Sequence, residues 1–579
     1  MPLARPTEKS IAQRYMPIVD WLPRYDWGKL FRWDVIAGLT VWALLVPEAM
    51  AYAGIAGVPP EVGLYTAPLA LLGYAMFGTS RQLFVGPSST VAILSASIVG
   101  PIAGGDEELF IALTSWLAIV TGVLFIIFGL VRMGWVANFM ASPVLDGFMV
   151  GLALVIAVGQ LDKIFGIESE GGNVLAELWS ILEQFADWSW ATIAVGVVSL
   201  GLLFLIEDYL PKIPGALTVL VLAIVMSAVF DFESHGIEIV GEIPAGLPPF
   251  GFPDWPGLET IADLVAGALA VVLVGYAESY AAAKSYANKY GYQVDANQEL
   301  IGLGVANFGA GFSSGFVVDG SLSKTAAGDS AGQKTQMTGI VAAVLTVITI
   351  MALTPLFETL PEATLGAIVI HAVWHLIDIR KFTVLWSVRH IDFWLAMASF
   401  LGVVLIDILP GIVIGIVLSL LMLVYRASFP HGVELGLIAD EAGHDTFVNV
   451  EDHPEALTKP GAVVYRFDED LIYSNAASFH QQGRELLWSR TDPPADLLIV
   501  DCEQMSEMDV SGARELLDFH EELASNDVAM YLTRLHGQPA RLAERAGIID
   551  AVGHENVFTT IRSAVDAWNE RHPADSPEG

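Results

Sequence analysis

Val318-Asp319-Gly320-Ser321-Leu322-Ser323-Lys324-Thr325 interrupts hydrophobic sequence with small and hydroxylated residues and then leads into a helix-compatible segment. An earlier stretch, Val85-Gly86-Pro87-Ser88-Ser89-Thr90, does the same. Each reads as the start of a broken membrane helix. The first N–H groups of a helix lack intrahelical partners and carry partial positive charge, so two such ends meeting at mid-bilayer make an anion site. Paired interruptions in corresponding positions of two halves of a chain point to a transporter's binding site. The second interruption also carries a lysine.

The surrounding composition supports a membrane setting. Of 579 residues, 54% are apolar, and the mean hydropathy is +0.56, above that of soluble chains. Net charge is −36, and the residues after Pro430 hold 29 acids against 10 bases. Such an acidic surface reads as salt adaptation, and it argues against nucleic acid, whose recognition needs clustered Lys and Arg. Cys502 is the sole cysteine, which excludes an internal disulfide framework. The N-terminal stretch is polar and basic and the first apolar run is a full span, so no cleavable signal is read.

Apolar segments near 33–57, 62–78, 84–101, 108–131, 142–160, 188–206 and 214–230 are followed by an acidic, Pro-rich stretch over 231–256. A second set lies near 259–283, 296–313, 321–333, 337–357, 363–377, 391–407 and 409–426. About fourteen spans in two sets of seven suggest an internal repeat, and an odd number per half requires the second copy to be inverted. Arg5, Lys9, Arg14, Arg24, Lys29 and Arg32 place the N-terminus in the cytoplasm. Arg81, Arg132, Lys212, Lys284, Lys289, Lys334, Arg380, Lys381 and Arg389 then fall on the inner side, and Lys163 is the one base on the outer side. After 430 the pattern changes to strands at 462–467, 497–501 and 528–532 and helices at 511–524 and 540–546, a small cytoplasmic α/β domain. The expected divisions are an N-terminal cytoplasmic segment at 1–32, a membrane domain at 33–426, a linker at 427–450, the α/β domain at 451–572 and an acidic tail at 573–579.

Lys324 in the hydroxyl-rich break supplies one full positive charge for an anion. Glu278 is a lone carboxylate in an apolar helix, a functional candidate by its cost, able to pair with Lys324 or to take up a proton. Glu48 follows Pro47 in the first span and is a third carboxylate at membrane depth. His371 and His375 have metal-compatible spacing, but no third ligand accompanies them in the sequence, so no metal site is assigned. Ser511, in Asp509-Val510-Ser511-Gly512, reads as a helix N-cap or a phosphorylation site. No Walker motif, nucleophile elbow or catalytic set is present, so neither an enzyme nor a cofactor is expected.

Several motifs resemble those of the SulP anion transporters (solute carrier family 26). They are Asp34-Val-Ile-Ala-Gly-Leu-Thr, Pro47-Glu-Ala-Met-Ala-Tyr-Ala, Gly63-Leu-Tyr, Gly78-Thr-Ser-Arg and Val85-Gly-Pro in the first half. In the second half they are Asn297-Gln-Glu-Leu-Ile-Gly-Leu-Gly, Gly320-Ser-Leu-Ser-Lys-Thr-Ala and Gly332-Gln-Lys-Thr-Gln. Leu498-Ile-Val-Asp-Cys, Met508-Asp-Val-Ser-Gly and Ala546-Gly-Ile resemble the family's STAS domain.

The resemblance implies a polytopic α-helical membrane protein with about 14 spans as a 7+7 inverted repeat, core and gate subdomains, an elevator-like movement and a homodimer. It places Ser321, Leu322, Ser323 and Lys324, with Ser88 and Ser89 at the tip of the third helix and Tyr52 on the first, against the anion. Glu278 and Glu48 become coupling or charge-balancing carboxylates, and Ser511 matches a regulatory phosphoserine of related domains. This chain departs from the pattern in four places. Lys324 stands where many relatives have Arg, a planar fork exchanged for a compact charge. Glu48 stands where Gln is common, Ser88 replaces a bulkier residue, and Ala282 lacks the hydroxyl that sodium-coupled relatives carry one turn after Glu278. The expectation is proton-coupled uptake of a small anion, sulfate first, across the inner membrane of the cell. Bicarbonate or a dicarboxylate, a membrane-anchored STAS signalling protein, a nucleobase-type transporter and an anion leak are the alternatives.

Overall fold

The computed structural model describes residues 15–135, 141–167, 173–210, 213–244, 246–439, 445–490 and 494–571. Arg5, Lys9, Arg14, Lys212 and the acidic tail therefore lie outside the described residues. The chain divides into two compact units, Met1–Ser419 and Leu420–Gly579.

The first unit is helical. Helices cover each of the fourteen apolar segments read from the sequence, from Phe31–Ala56 and Pro60–Phe77 to His390–Leu405 and Ile408–Ser428. Eight of the described helices are long and apolar enough to cross a membrane. Val197, Val198 and Leu205 on helix Trp190–Tyr209, and Val221 and Val225 on the shorter Gly215–Phe230, are exposed, as on a helix bathed in lipid. Two short helices, Val174–Glu183 and Ile379–Val388, lie in the connections and were not anticipated. Lys163, the base on the unexpected side, pairs with Glu362 at 3.3 Å, which gives that charge a local partner.

Helix Glu107–Leu130 packs against Ala296–Phe312 through small residues on both. A Cβ on Gly122 would stand 2.6 Å from Phe308 N and 2.7 Å from Gly304 O, and one on Gly311 would stand 2.5 Å from Ser115 O. Glycine lets the two backbones touch, and in lipid such packing replaces the hydrophobic drive available in water.

Two of the resemblance motifs meet their partners through buried carboxylates. Asp34 accepts from Lys334 N at 2.7 Å, Thr335 N at 3.0 Å, Thr335 Oγ1 at 2.8 Å, Thr338 Oγ1 at 3.2 Å and Tyr25 OH at 3.0 Å. It thereby holds the loop that starts helix Met337–Ile348. Glu299 accepts from Tyr74 OH at 2.6 Å, Thr79 N at 2.6 Å and Ser80 N at 3.0 Å, pinning the turn after helix Pro60–Phe77.

The membrane unit contains two three-residue strands, β1 (Phe84–Gly86) and β2 (Asp319–Ser321), which pair antiparallel. The second unit carries β3 (Gly432–Ala439), β4 (Asp445–Asn449), β5 (Ala462–Phe467), β6 (Leu497–Asp501), β7 (Ala529–Thr533) and β8 (Val557–Phe558) in the order β4-β3-β5-β6-β7-β8. Strands β5 to β8 are parallel, and β3 is antiparallel to both neighbours. Along β5, Val463, Tyr465 and Phe467 face helices Ala476–Trp488 and Val510–Ser525, while Ala462 and Val464 face helix Ile561–Arg571. Helices on both faces explain why these strands read as apolar runs.

The stretch 427–450 is not a linker. It holds β3 and β4, and Val433 and Leu435 are buried. Val433, Leu435 and Leu437 alternate along β3, a period-two strand signal that the sequence carries. Ser511 does not cap its helix either. Asp509 does, accepting from Gly512 N at 2.8 Å, and Ser511 is exposed in the first turn. Cys502 is buried, and burial pushes its thiol well above the usual range, so it behaves as a small hydrophobe.

Gly122→Leu should abolish the monodisperse peak of the detergent-solubilised protein in size-exclusion chromatography, because overpacking at a backbone contact costs about 1–3 kcal/mol or more. Gly201→Ala, where an added Cβ meets nothing within 4 Å, should leave the peak unchanged.

Candidate functional site

Strands β1 and β2 each lead into a short helix, Ser89–Ala103 and Leu322–Ser330. Their pairing, Phe84 with Ser321, Val85 with Gly320 and Gly86 with Asp319, brings the two helix N-termini together inside the membrane unit. Thr325 Oγ1 locks the pair by donating to Ser321 O at 2.6 Å and accepting from Phe84 N at 3.0 Å. The long helix Leu258–Tyr290 backs β2: Ser279 Oγ accepts from Gly320 N at 2.7 Å and donates to Gly275 O at 2.5 Å. Only glycine fits at 320, since a Cβ there would meet Leu83 at 2.9 Å and the Ser279 Cα at 3.0 Å.

Ser321 caps the second half-helix, its Oγ accepting from Lys324 N at 3.4 Å and lying 3.1 Å from Ser323 Oγ. At the first half-helix, Ser88 makes no capping bond and its buried Oγ has no partner. Ser89 is buried beside it. Leu322 is 52% exposed and Ser323 is exposed, so this helix tip opens to a space that a ligand can enter.

Lys324 is 1% exposed, and its Nζ donates to Glu48 Oε2 at 2.6 Å and to Pro87 O at 3.1 Å. It also stands over the Tyr52 ring, 5.0 Å from the centroid, and Tyr52 OH donates to Glu48 Oε2 at 3.3 Å. The sequence allowed Lys324 to pair with Glu278. The structure pairs it with Glu48, carried by the first helix, Phe31–Ala56.

Glu278 stands near Thr90, Asp319 and Lys324, with its Oε2 buried and unbonded. Asp319, 1% exposed, lies beside Ser88 and Lys324, and neither of its oxygens completes a hydrogen bond. The sequence analysis quoted Asp319 in the decisive stretch but assigned it no role. The signal was an acid between two apolar residues and a glycine at a helix break. Asp34 and Glu299 are surrounded by donors, whereas Glu278 Oε2 and the Asp319 oxygens complete no hydrogen bond of ordinary geometry.

Electrostatically the cluster holds one base, Lys324, and three acids, Glu48, Glu278 and Asp319. Lys324 and Glu48 cancel. Two helix N-termini attract an anion, while two further carboxylates repel it unless positive charge arrives with it.

His371 and His375 were read as lacking a third ligand. Folding supplies one, Glu207, which lies 2.8 Å from His371 Nε2 and 3.1 Å from His375 Nε2.

Comparison with known proteins agrees with this arrangement. Residues 31–399 match the model of the sulfate permease family, and residues 453–564 match the STAS domain. A probable sulfate transporter of Mycobacterium tuberculosis is 34% identical over 93% of this chain and 96% of its own length. The chloroplastic sulfate transporter 4.1 of Arabidopsis thaliana is 31% identical over 95% of this chain and 82% of its own. Among solved structures, the murine Solute Carrier 26 family member A9 anion transporter in its inward-facing state superposes with a TM-score of 0.87 at 25% identity, covering 98% of this chain and 96% of that one. These relatives are named as transporters, not enzymes. Motifs, fold and matched length together establish that this chain is a multi-pass membrane protein of the sulfate permease (SulP) family, ending in a STAS domain.

Proposed function

We propose that this protein is a proton-coupled symporter of a small divalent anion, sulfate, held between the N-termini of helices Ser89–Ala103 and Leu322–Ser330. The observation that carries the reading is the charge inventory: one lysine among three carboxylates, of which Glu278 Oε2 and both Asp319 oxygens complete no hydrogen bond of ordinary geometry. A dianion entering beside two ionised carboxylates would meet like charge in a low-dielectric site. Protons on Glu278 and Asp319 remove that repulsion, so anion and protons bind together or not at all. Lys324 and the amides of Ser89, Thr90, Leu322 and Ser323 would compensate the anion. Ser88, Ser321 and Ser323 would offer hydroxyl donors, and Tyr52 would line the facing wall.

Sodium fits less well. Ala282 offers no oxygen, and the Ser279 hydroxyl is spent on Gly320 and Gly275. The names of the relatives favour sulfate over bicarbonate or a dicarboxylate. Alternating access would come from an elevator-like movement of the helices that carry the site. The lysines and arginines support an inner-membrane orientation with both termini cytoplasmic, and the likeness to family 26 structures supports a homodimer. The membrane domain would span 33–426 after a cytoplasmic segment at 1–32, and the STAS domain would begin near 451, with β3 and β4 packed on its sheet.

Uptake of labelled sulfate, bicarbonate and fumarate into proteoliposomes tests the proposal. An inward proton gradient should concentrate sulfate in wild type, and Lys324→Ala should lower uptake at least tenfold. Glu278→Gln and Asp319→Asn should retain sulfate exchange while losing the response to the gradient. Accumulation that ignores protons, or that favours bicarbonate, would overturn the reading.

Glu48→Gln should leave Lys324 a buried charge without its carboxylate, and breaking such a pair costs about 3–5 kcal/mol. Bound anion then restores the lost partner. The variant should melt lower than wild type without sulfate and show a larger sulfate-induced rise in Tm.

Ser511, exposed on the first turn of its helix, would be a regulatory phosphorylation site, where added negative charge meets the helix N-terminus. Ser511→Ala and Ser511→Asp should alter stability by no more than about 0.5 kcal/mol, while Ser511→Asp changes the transport rate. Equal rates in all three proteins would exclude control through this residue.

A further inference from the structure

His371 and His375 stand one turn apart at the C-terminal end of helix Glu362–Trp374, which puts both imidazoles on one face. Glu207, near the end of helix Trp190–Tyr209, reaches across to them. Its Oε2 lies 2.8 Å from His371 Nε2 and its Oε1 lies 3.1 Å from His375 Nε2. All three ligand atoms fall within 4.8 Å of one another. In a tetrahedral zinc site with bonds of about 2.0–2.1 Å, ligand atoms are about 3.3 Å apart. The two carboxylate–imidazole contacts lie within about half an ångström of that spacing.

We infer that Glu207, His371 and His375 bind one divalent transition-metal cation, zinc above all, and so tie helix Trp190–Tyr209 to helix Glu362–Trp374. Three features support a cation at this place. Glu207 has no lysine or arginine partner among the described residues, so the donor set of one carboxylate and two neutral imidazoles carries a single negative charge. Phe204, one turn before Glu207, packs edge-on against His371 with centroids 4.9 Å apart and against Trp374 at 5.9 Å, which orients the helix face that bears the ligands. The side chains of His371, His375 and Glu207 are 20%, 54% and 42% exposed, which leaves an approach for the ion and a position for water as a fourth ligand. Two imidazoles and one carboxylate suit zinc, cobalt, nickel or copper and disfavour magnesium and calcium.

The test uses the full chain purified without a polyhistidine tag, stripped with chelator and titrated with Co²⁺, then with Zn²⁺ in competition. One Co²⁺ per chain should appear with a visible ligand-field spectrum that Zn²⁺ abolishes. His375→Ala and Glu207→Gln should each weaken binding by no less than the roughly 10–100-fold that loss of an outer-shell partner costs a metal site. Lys324→Ala should bind the metal as wild type does. X-ray absorption of the zinc-loaded wild type should show imidazole scattering from two ligands, a readout that needs no variant to fold. Absence of stoichiometric binding, binding indifferent to His375→Ala and Glu207→Gln, or a spectrum without imidazole would overturn the inference and leave the triad a hydrogen-bonded contact.

Discussion

Six residues of extended backbone in the interior of a helical membrane unit have unpaired N–H and C=O groups that lipid cannot satisfy. β1 and β2 solve this for each other by pairing antiparallel. The pairing has a geometric consequence: the chain leaves each strand directly into a helix, so two helix N-termini converge on one point. Thr325, Ser279 and Gly320 reinforce the pairing from both sides. Everything proposed for the anion depends on that constraint. Helix ends that did not converge would offer two weak dipoles instead of one site.

Around this point the chain uses buried carboxylates in two different ways. Asp34 and Glu299 are surrounded by donors and hold loops in place. Glu278 Oε2 and both oxygens of buried Asp319 complete no hydrogen bond of ordinary geometry. Leaving such groups unpaired is costly, and a stable fold tolerates it where the missing partner is mobile. Glu48 sits between these extremes, neutralising Lys324 when no anion is present. On the proposed function, the lysine would stay paired with Glu48 until a substrate competes for it.

The STAS unit is organised by an ordinary soluble rule, alternation across a sheet covered on both faces. The difference between its two serine readings is a matter of one turn of helix. With Asp509 as the cap, Ser511 has no structural duty and presents its hydroxyl to solvent at the positive end of a helix.

The sequence by itself determined the membrane class, the positions of the helical segments, the strands β5, β6 and β7, and the identity of the two breaks, because hydropathy, period and helix-start chemistry are local properties. Lys324, Glu48 and Glu278 were legible as candidates for the same reason, whereas Tyr52 and the anion-contact roles of Ser88, Ser89, Ser321 and Ser323 came from the family resemblance. Tertiary structure decided the partners. Glu48 and Lys324 are 276 positions apart in the chain, and no local pattern says which of two carboxylates the lysine takes. The part of Asp319 lay hidden because an acid beside a glycine in a polar break reads as a turn until folding buries it against Glu278. Glu207 came to His371 and His375 from a different helix for the same reason. Strand β3 was missed although Val433, Leu435 and Leu437 alternate along it, whereas β4 has only Phe447 and Val448 as apolar residues, and pairing with β3 supplies what its own residues do not.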